Sequence, residues 1–171
     1  MGELFGGAIK LAIPPHFADA SQFRQVPDNQ EVFVSSIDNS SVIVELLEAV
    51  DDTDRSLFHF NELADSNDAG NSTAIIARST LQPVPSMNLQ PKCTIDVIHG
   101  VQHAAKFNTS DITSVHVLLA VVHLPQVNTD LLISINKPID NETKEVANAT
   151  AFAEFAQFVG TLRVDDWGLF A

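Results

Sequence analysis

The six histidines offer the most versatile chemistry in this chain, because an imidazole can bind a metal ion or act as a base near neutral pH. His99 and His103 could share one face of a strand. Residues four apart along a strand have Cα atoms roughly 13 Å apart, too far for one ion to join them easily. No carboxylate or thiol repeats nearby at ligand spacing. The spacing therefore favours structural histidines, and neither a metal nor another cofactor is predicted.

Nucleophilic catalysis also lacks a sequence signature. The chain has no Gly-x-Ser-x-Gly elbow, and its one cysteine, Cys93, has no surrounding motif that identifies a nucleophile. Adjacent carboxylates such as Asp51 and Asp52 are common in so acidic a chain. A single cysteine cannot form an internal disulfide, which suits a reducing compartment. We therefore predict an interaction module without a reaction centre.

Three carboxylates instead form the pattern of a docking surface. Ser40 or Ser41 could cap a helix whose opposite side would carry Glu45, Glu48 and Asp52, within about 60° of one another. The core-facing side of that helix would carry Ile43, Leu46, Leu47 and Val50. A solvated outer face gives the same pattern, and the pattern alone favours that interpretation. The absence of lysine and arginine from the stripe supports binding to a partner.

Turns and short strands surround this segment. Pro27, Asp28 and Asn29 have the chemistry of a turn, and the alternation that follows predicts a strand around Val32–Val34. Earlier in the chain, Ala8–Ile13 is a predicted strand stopped by prolines. Further elements are a helical turn capped by Asp19 with Phe17 and Phe23 on the core, and short strands at Leu57–Asn61 and Thr73–Ala77.

The second half of the chain predicts an antiparallel meander. Its strands are Thr94–Phe107, Ser114–Leu124 and Thr129–Asn136, the last stopped by Lys137 and Pro138. The nearly continuous apolar character of the second strand is typical of a strand covered on both faces. A helix is predicted from about Glu142 to Arg163. Helices before and after the sheet could cover both of its faces, which predicts an α+β fold with a central, mainly antiparallel sheet.

Composition limits the classes of partner. The 171 residues, 45% of them hydrophobic, predict one domain spanning 1–171 with a substantial core. A net charge of −13 argues against a nucleic acid or an anionic membrane as the partner, and it favours a basic protein surface. The N-terminus has no secretory signal pattern.

Six segments occur in an order that is characteristic of one family: LFGGA (4–8), PP (14–15), DASQFRQVPDNQEVF (19–33), VIVELLE (42–48), LPQVNTDLLISIN (124–136) and LFA (169–171). In these segments the chain resembles the Ran guanine nucleotide release factor family, also called MOG. The VPDNQEVF and QVNTDLLISIN blocks are the most specific, because they are long and irregular in composition. Residues 53–92 match poorly.

The resemblance implies a sandwich of a central antiparallel sheet flanked by helices on both faces, shared with the photosystem subunit P-like proteins. It also implies a nuclear and cytoplasmic protein, expected to be a monomer, that binds the small GTPase Ran, promotes loss of its guanine nucleotide and regulates nuclear protein import. The family's acidic pair maps onto Glu45 and Glu48, to which the helical pattern adds Asp52. A second candidate surface comprises Asp28, Asn29, Gln30 and Glu31, of which the first two could equally serve to build the turn.

Two alternatives remain open. A small-ligand-binding or enzymatic domain of the same fold would need a pocket lined by histidines such as His99 and His103. A structural subunit is suggested by analogy of fold alone, which is a weak basis for function.

Overall fold

The computed structural model describes residues 1–69, 72–105, 112–139 and 148–171. In chain order, the strands and α-helices of these residues are β1 (Gly2–Leu4), β2 (Ile9–Leu11), β3 (Phe17–Asp19), β4 (Gln30–Ser35), β5 (Ser41–Glu48), α1 (Arg55–Ser66), β6 (Thr73–Leu81), β7 (Thr94–Ala105), β8 (Ile112–Leu124), β9 (Thr129–Ile139), α2 (Asn148–Val159) and β10 (Arg163–Val164).

One large sheet organises the fold. Its seven strands have the order β3-β4-β5-β9-β8-β7-β6, and every neighbouring pair is antiparallel. A smaller sheet has the order β1-β2-β10. The predicted meander is confirmed as β7-β8-β9, in which Ala120 of β8 pairs with Val97 on one side and Ile133 on the other. The described residues thus form a mainly antiparallel sheet with two α-helices, and the predicted antiparallel sheet of an α+β fold is confirmed.

The two faces of the large sheet bury separate apolar clusters. On one face, Ala120 and Val122 of β8 share a cluster with Phe155 and Val159 of α2. On the other face, Val117, Leu119 and Val121 of β8 pack with Phe60 of α1. Burial of one such phenylalanine contributes about 2–3 kcal/mol to stability. Alternate residues of β8 therefore face different clusters, which explains its nearly continuous apolar sequence.

Phe60 packs where the sheet has no side chain. A Cβ atom at Gly100 of β7 would lie 2.7 Å from Cε2 of Phe60 and 2.9 Å from the carbonyl oxygen of Ala74. Real Cβ atoms do not approach other atoms so closely, so glycine at this position allows α1 to sit directly on the sheet.

The predicted helix through Ile43–Asp52 is wrong, because residues Ser41–Glu48 form strand β5. Val42 and Val44 are fully buried on one face, and β5 pairs with β4 on one side and β9 on the other. The run of β-branched residues in this segment favours a strand, and pairing on both sides satisfies the strand backbone. The apolar spacing misled the prediction because Leu46 and Leu47 fit the spacing of a helix as well as that of a strand. Ser40 and Ser41 therefore cap no helix at this point.

The predicted strand at Leu57–Asn61 is also wrong. This segment lies in α1, where the Asp54 carboxylate caps the helix by accepting a hydrogen bond of 3.3 Å from the Leu57 amide. Phe60 and Ala64 are buried one turn apart, which is helical spacing. Alternation of apolar and polar residues over only five positions is too short to distinguish the repeat of a strand from that of a helix.

Smaller predictions had mixed outcomes. The Asp19-capped turn is confirmed as a 3₁₀ helix at Ala20–Gln22, where the Ser21 amide donates to the Asp19 carboxylate at 2.8 Å. Phe17 packs against the core as predicted, but Phe23 is 63% exposed and does not. The predicted strands at Ala8–Ile13 and Thr73–Ala77 correspond to β2 and β6, with different bounds.

Strand β9 does not stop at Lys137 and Pro138, since Pro138 pairs with Val115 of β8. Pairing with β5 ends at Asn136, so the next residues have one free edge. A proline that donates no hydrogen bond is tolerated on such an edge. Helix α2 ends at Val159, short of the predicted Arg163. Predictions at Phe107, in the loop 108–111 and for the helix start near Glu142 lie outside the described residues.

Candidate partner-binding surface

The two acidic segments that the sequence suggested separately lie side by side at one end of the large sheet. Gln30 at the start of β4 pairs with Glu45 near the end of β5, and Glu31 pairs with Val44. Next to them, the Asn29 side-chain amide donates to the Leu46 carbonyl at 3.1 Å, and the Leu46 amide donates to the Asn29 carbonyl at 2.9 Å. The candidate residues of β4, its preceding turn and the end of β5 therefore lie together. With Asp52, four residues beyond Glu48 in the chain, we call them the acidic end: Asp28, Asn29, Gln30, Glu31, Glu45, Glu48 and Asp52.

Glu45 and Glu48 do not share a face as the helix prediction required. Successive residues of a strand point to opposite sides of the sheet, so residues three apart are on different faces. Glu48 is on the face of buried Val42 and Val44, whereas Glu45 is on the face of Leu47, which packs with the α1 cluster. Glu48 is exposed at the strand end, and its Oε1 accepts a hydrogen bond of 3.3 Å from the side-chain Nδ2 of Asn128. A partner that contacts both glutamates must therefore approach the sheet end-on.

Asp28 and Asn29 do build the turn that precedes β4. The Gln30 amide donates to the Pro27 carbonyl at 2.9 Å, and both turn residues are exposed. Their side chains remain accessible to a partner, so the structural role and the binding role are compatible. Asp28 has no hydrogen bond or ion pair through its side chain among the described residues.

Glu31 and Asp52 have internal partners. The Glu31 carboxylate accepts a hydrogen bond of 2.6 Å from the Phe5 amide, which ties β4 to the N-terminal segment. The Asp52 carboxylate accepts one of 2.8 Å from the Asp54 amide, just before α1. In the described part of the chain, neither Glu45 nor Glu48 forms an ion pair with a basic side chain within 4.0 Å. Among the described residues, Asp28 and Glu45 therefore have no side-chain partner, and Glu48 has only its hydrogen bond from Asn128.

A buried carboxylate that the sequence analysis missed braces this surface. Asp130 of β9 is fully buried, and its oxygens lie 2.8 Å from Nε2 of His59 and 2.8 Å from Nδ1 of His123. It also accepts a hydrogen bond of 3.1 Å from the Val50 amide, and Nε of Arg55 lies 3.9 Å away. Burial acts to raise the pKa of Asp130, but the hydrogen bonds from His59, His123 and Val50 outweigh it and lower the pKa overall.

This arrangement, which we call the Asp130 cluster, connects β8, β9, α1 and the chain just after Glu48. Val50 is two residues from Glu48 and two from Asp52, so its hydrogen bond to Asp130 fixes the backbone between them. Asp130 is the second residue of β9 and directly precedes the apolar run that begins at Leu131, which is a weak signal in the sequence, because a carboxylate buried there would need partners. The identity of its histidine partners could not be inferred from that signal.

The histidines of the alternative prediction form no common site. His99 is buried beneath α2, with its Nε2 2.9 Å from Nδ1 of His116 and its ring stacked on Phe152. Burial, together with the nearby His116, lowers the pKa of His99 to about 4. His103 is exposed, and its Nδ1 lies 2.7 Å from the Ser114 hydroxyl.

Neither His99 nor His103 lines a cavity of about 420 Å³ found between α2 and the sheet, to which His16 contributes instead. Among the described residues, no group of three or more histidine, cysteine, aspartate or glutamate side chains is placed to hold a metal ion. No helix in the described part of the chain combines the length and the apolar character needed to span a membrane.

Comparison with known proteins places this geometry in a family. The family model described as Ran-interacting Mog1 protein matches residues 2–138. The Ran guanine nucleotide release factor of Danio rerio is 37% identical over 140 residues, which cover 80% of this chain and 76% of that protein. The nuclear import protein mog1 of Schizosaccharomyces pombe is 36% identical over 148 residues, which cover 82% of this chain and 78% of that protein.

The crystal structure of the Ran-binding protein Mog1p of Saccharomyces cerevisiae has the same fold. It matches with a TM-score of 0.78 at 30% identity, and the match covers 99% of this chain and 97% of that one. The resemblance predicted from the six sequence segments is confirmed. This chain belongs to the family of Ran-interacting Mog1 proteins.

Proposed function

We propose that this protein binds the small GTPase Ran, promotes release of its guanine nucleotide and so takes part in nuclear protein import. The relatives named as Ran guanine nucleotide release factors and nuclear import proteins support this function. The protein is a regulator of a GTPase and needs no covalent chemistry of its own. It acts as a single domain over 1–171, with the sandwich architecture shared with photosystem subunit P-like proteins.

The pairing of Gln30 with Glu45 is the observation that carries the choice of surface. It brings the exposed turn at Asp28 and Asn29 next to the two glutamates, so that one continuous acidic end can face a basic partner. Coulombic attraction between such surfaces raises the rate of association and selects partners of opposite charge. The net charge of −13 acts in the same direction and disfavours nucleic acid and anionic membranes as partners.

Release of nucleotide requires a difference in affinity between two states of Ran. A protein that binds nucleotide-bound and empty Ran equally well leaves the equilibrium unchanged. We infer that the acidic end binds a basic surface of Ran more tightly when Ran is nucleotide-poor. The protein works as a monomer, in both the nucleus and the cytoplasm, and the nucleotide-free and GTP-bound forms of Ran are its candidate binding states.

The test is the release of a fluorescent guanine nucleotide from purified Ran, with and without this protein, at low and physiological salt. We expect faster release, with a smaller effect at higher salt. The double variant Glu45→Lys/Glu48→Lys should lose the acceleration while its far-UV circular dichroism remains native.

A matched control is Glu62→Lys/Asp65→Lys, which reverses two exposed acids of α1 with the same spacing and the same change of net charge. This control should retain the acceleration. Equal loss in both double variants would assign the effect to net charge alone, and normal Ran affinity in the folded Glu45→Lys/Glu48→Lys variant would refute the acidic end as the binding surface.

A further inference from the structure

Strand β6 forms one edge of the large sheet. It pairs with β7 from Thr73 to Leu81, and no strand in the described part of the chain pairs with its other side. An edge strand presents a row of backbone N–H and C=O groups that can pair with another extended chain. The opposite edge strand, β3, has only three residues, so β6 offers much the longer template.

Apart from a register shift between Ile75 and Ala77, β6 lacks the features that usually protect an edge strand. It contains neither lysine nor proline, and its one charged residue, Arg78, is neutralised by an ion pair with Asp54. Ile75 and Ile76 are 42% and 40% exposed, which is unusual for large apolar side chains on a sheet. The free edge therefore combines unpaired backbone groups with accessible apolar surface.

A polar cleft of about 220 Å³ adjoins this edge. Its lining residues are Ser56, Arg78, Ser79, Thr80, Asp96 and Val97. The Thr80 hydroxyl donates to Oδ1 of Asp96 at 2.8 Å, and Asp96 forms no ion pair among the described residues. Arg78 pairs with Asp54 and its charge also acts on Asp96, so the two carboxylates at the cleft exceed its one cation by a single negative charge. This excess of negative charge suits an ammonium or guanidinium group near Asp96.

We propose that β6 binds an extended basic polypeptide segment as an additional strand, with a lysine or arginine side chain of that segment in the cleft at Asp96. Backbone pairing supplies affinity in such complexes, while pockets for alternate side chains supply specificity. The cleft lies on the face of the sheet that also carries α1, as Arg78 contacts both Asp54 and Ser56. This interaction is separate from the acidic end, which lies at β4 and β5.

A second copy of the chain is a poorer occupant of the same edge. Each copy has a net charge of −13, so two copies repel each other. The register of β6 also shifts between Ile75 and Ala77, and such a bulge twists the edge away from the flat geometry that two identical edges need. A short flexible peptide can follow that twist, and positive charge gives it the complementarity that a second copy lacks.

The test uses a capped peptide of alternating valine and lysine, of the same length as β6, titrated into the full chain. A peptide of alternating valine and glutamate is the charge control. We expect the lysine peptide to bind and to slow amide hydrogen exchange within Thr73–Leu81, because outward N–H groups become hydrogen-bonded. Binding should weaken with added salt.

Two variants locate the site. Ile76→Lys places a lysine on the free edge of β6, as natural proteins do to prevent pairing with another strand. Asp96→Asn removes the carboxylate of the cleft while keeping an acceptor for the Thr80 hydroxyl. Each should weaken the lysine peptide by about fivefold or more. Ile37→Lys is the matched control, since Ile37 is 74% exposed in the loop between β4 and β5 and should have no effect.

The proposal is overturned if the lysine peptide fails to bind, if the glutamate peptide binds equally well, or if binding leaves exchange within Thr73–Leu81 unchanged. If the chain self-associates and Ile76→Lys abolishes this self-association, the edge binds a second copy of the chain instead. The Ile76→Lys variant should keep its native circular dichroism and its acceleration of nucleotide release from Ran. That result would show that the edge of β6 and the acidic end act independently.

Discussion

Gln30 and Glu45 are opposite one another across the β4–β5 ladder, although fifteen positions separate them in the sequence. This pairing joins a turn and a strand end into one acidic surface. Because Glu45 and Glu48 are on opposite faces of β5, the surface is the end of a sheet and not the side of a helix. The end-on contact with Ran that we propose follows from that geometry.

Single charge reversals should show whether the contact is end-on. We expect Glu45→Lys and Glu48→Lys each to weaken Ran binding by about tenfold at low salt, with nearly additive effects in the double variant because the two side chains share no partner. Isothermal titration calorimetry or surface plasmon resonance at two salt concentrations measures the affinity of each variant for Ran. If one reversal has the whole effect and the other has none, Ran contacts one face of the sheet, and the end-on geometry is wrong.

The parts of the fold that could be predicted are those in which apolar residues recur at a regular spacing over a long stretch of sequence. The structure confirms the strands predicted for β7 and β8. The long alternation of β7 fits only a strand, whereas the continuous apolar run of β8 also fits a buried helix and is favoured as a strand by its many β-branched residues. The segment of β5 fitted both periods over eight residues, and its pairing with β4 and β9 decided the outcome. Such nonlocal pairing is invisible in a single sequence.

The residues of the candidate site remain a prediction, and the structure corrects their geometry. Glu45 and Glu48 came from both the helical pattern and the family resemblance, and the structure replaces the shared helical face with two opposite strand faces. The connection between Asp130 and His59 joins residues 71 positions apart, and no local pattern encodes it. The position of Asp130 directly before the apolar run of β9 was the only local signal of a buried polar network, and it was weak, because polar residues are common at the start of a strand.

Removal of the buried charge at Asp130 should destabilise the protein strongly. Asp130→Asn leaves His59 and His123 without their anionic partner, and we expect a loss of about 3 kcal/mol in the free energy of unfolding at neutral pH. Urea unfolding followed by circular dichroism measures it, with Asp96→Asn, a partly exposed aspartate, as the control that should change little.

The Asp130 effect should depend on pH with a defined sign. The folded state lowers the pKa of Asp130 below 3.8, so its contribution is present above that value and is lost as the pH falls through the folded-state pKa. The difference between the wild-type protein and Asp130→Asn should therefore shrink in strong acid. A difference that stays constant down to the acid unfolding transition would show that the charge of Asp130 is not what stabilises the fold.

His99 should make stability fall between pH 6.5 and about 4. Burial, with His116 nearby, lowers the pKa of His99 from 6.5 to about 4, so in this window the unfolded chain binds a proton that the folded chain excludes. The free energy of unfolding should fall by as much as about 3 kcal/mol as the pH decreases through it. His99→Gln keeps a polar group near His116 but removes this titration, so its stability should vary less with pH. Parallel pH profiles for the two proteins would exclude His99 as the source.

Gly100→Ala should separate the contribution of α1 packing from that of the sheet. The added methyl group would lie 2.7 Å from Cε2 of Phe60 and 2.9 Å from the Ala74 carbonyl oxygen, so either the helix or the edge strand must shift. We expect a loss of about 1–3 kcal/mol in urea unfolding. Phe60→Leu creates space beside residue 100, so in that background the same glycine substitution should cost less, and the difference is the coupling between the two positions. An equal cost in both backgrounds would place the strain at the Ala74 carbonyl and not at the helix.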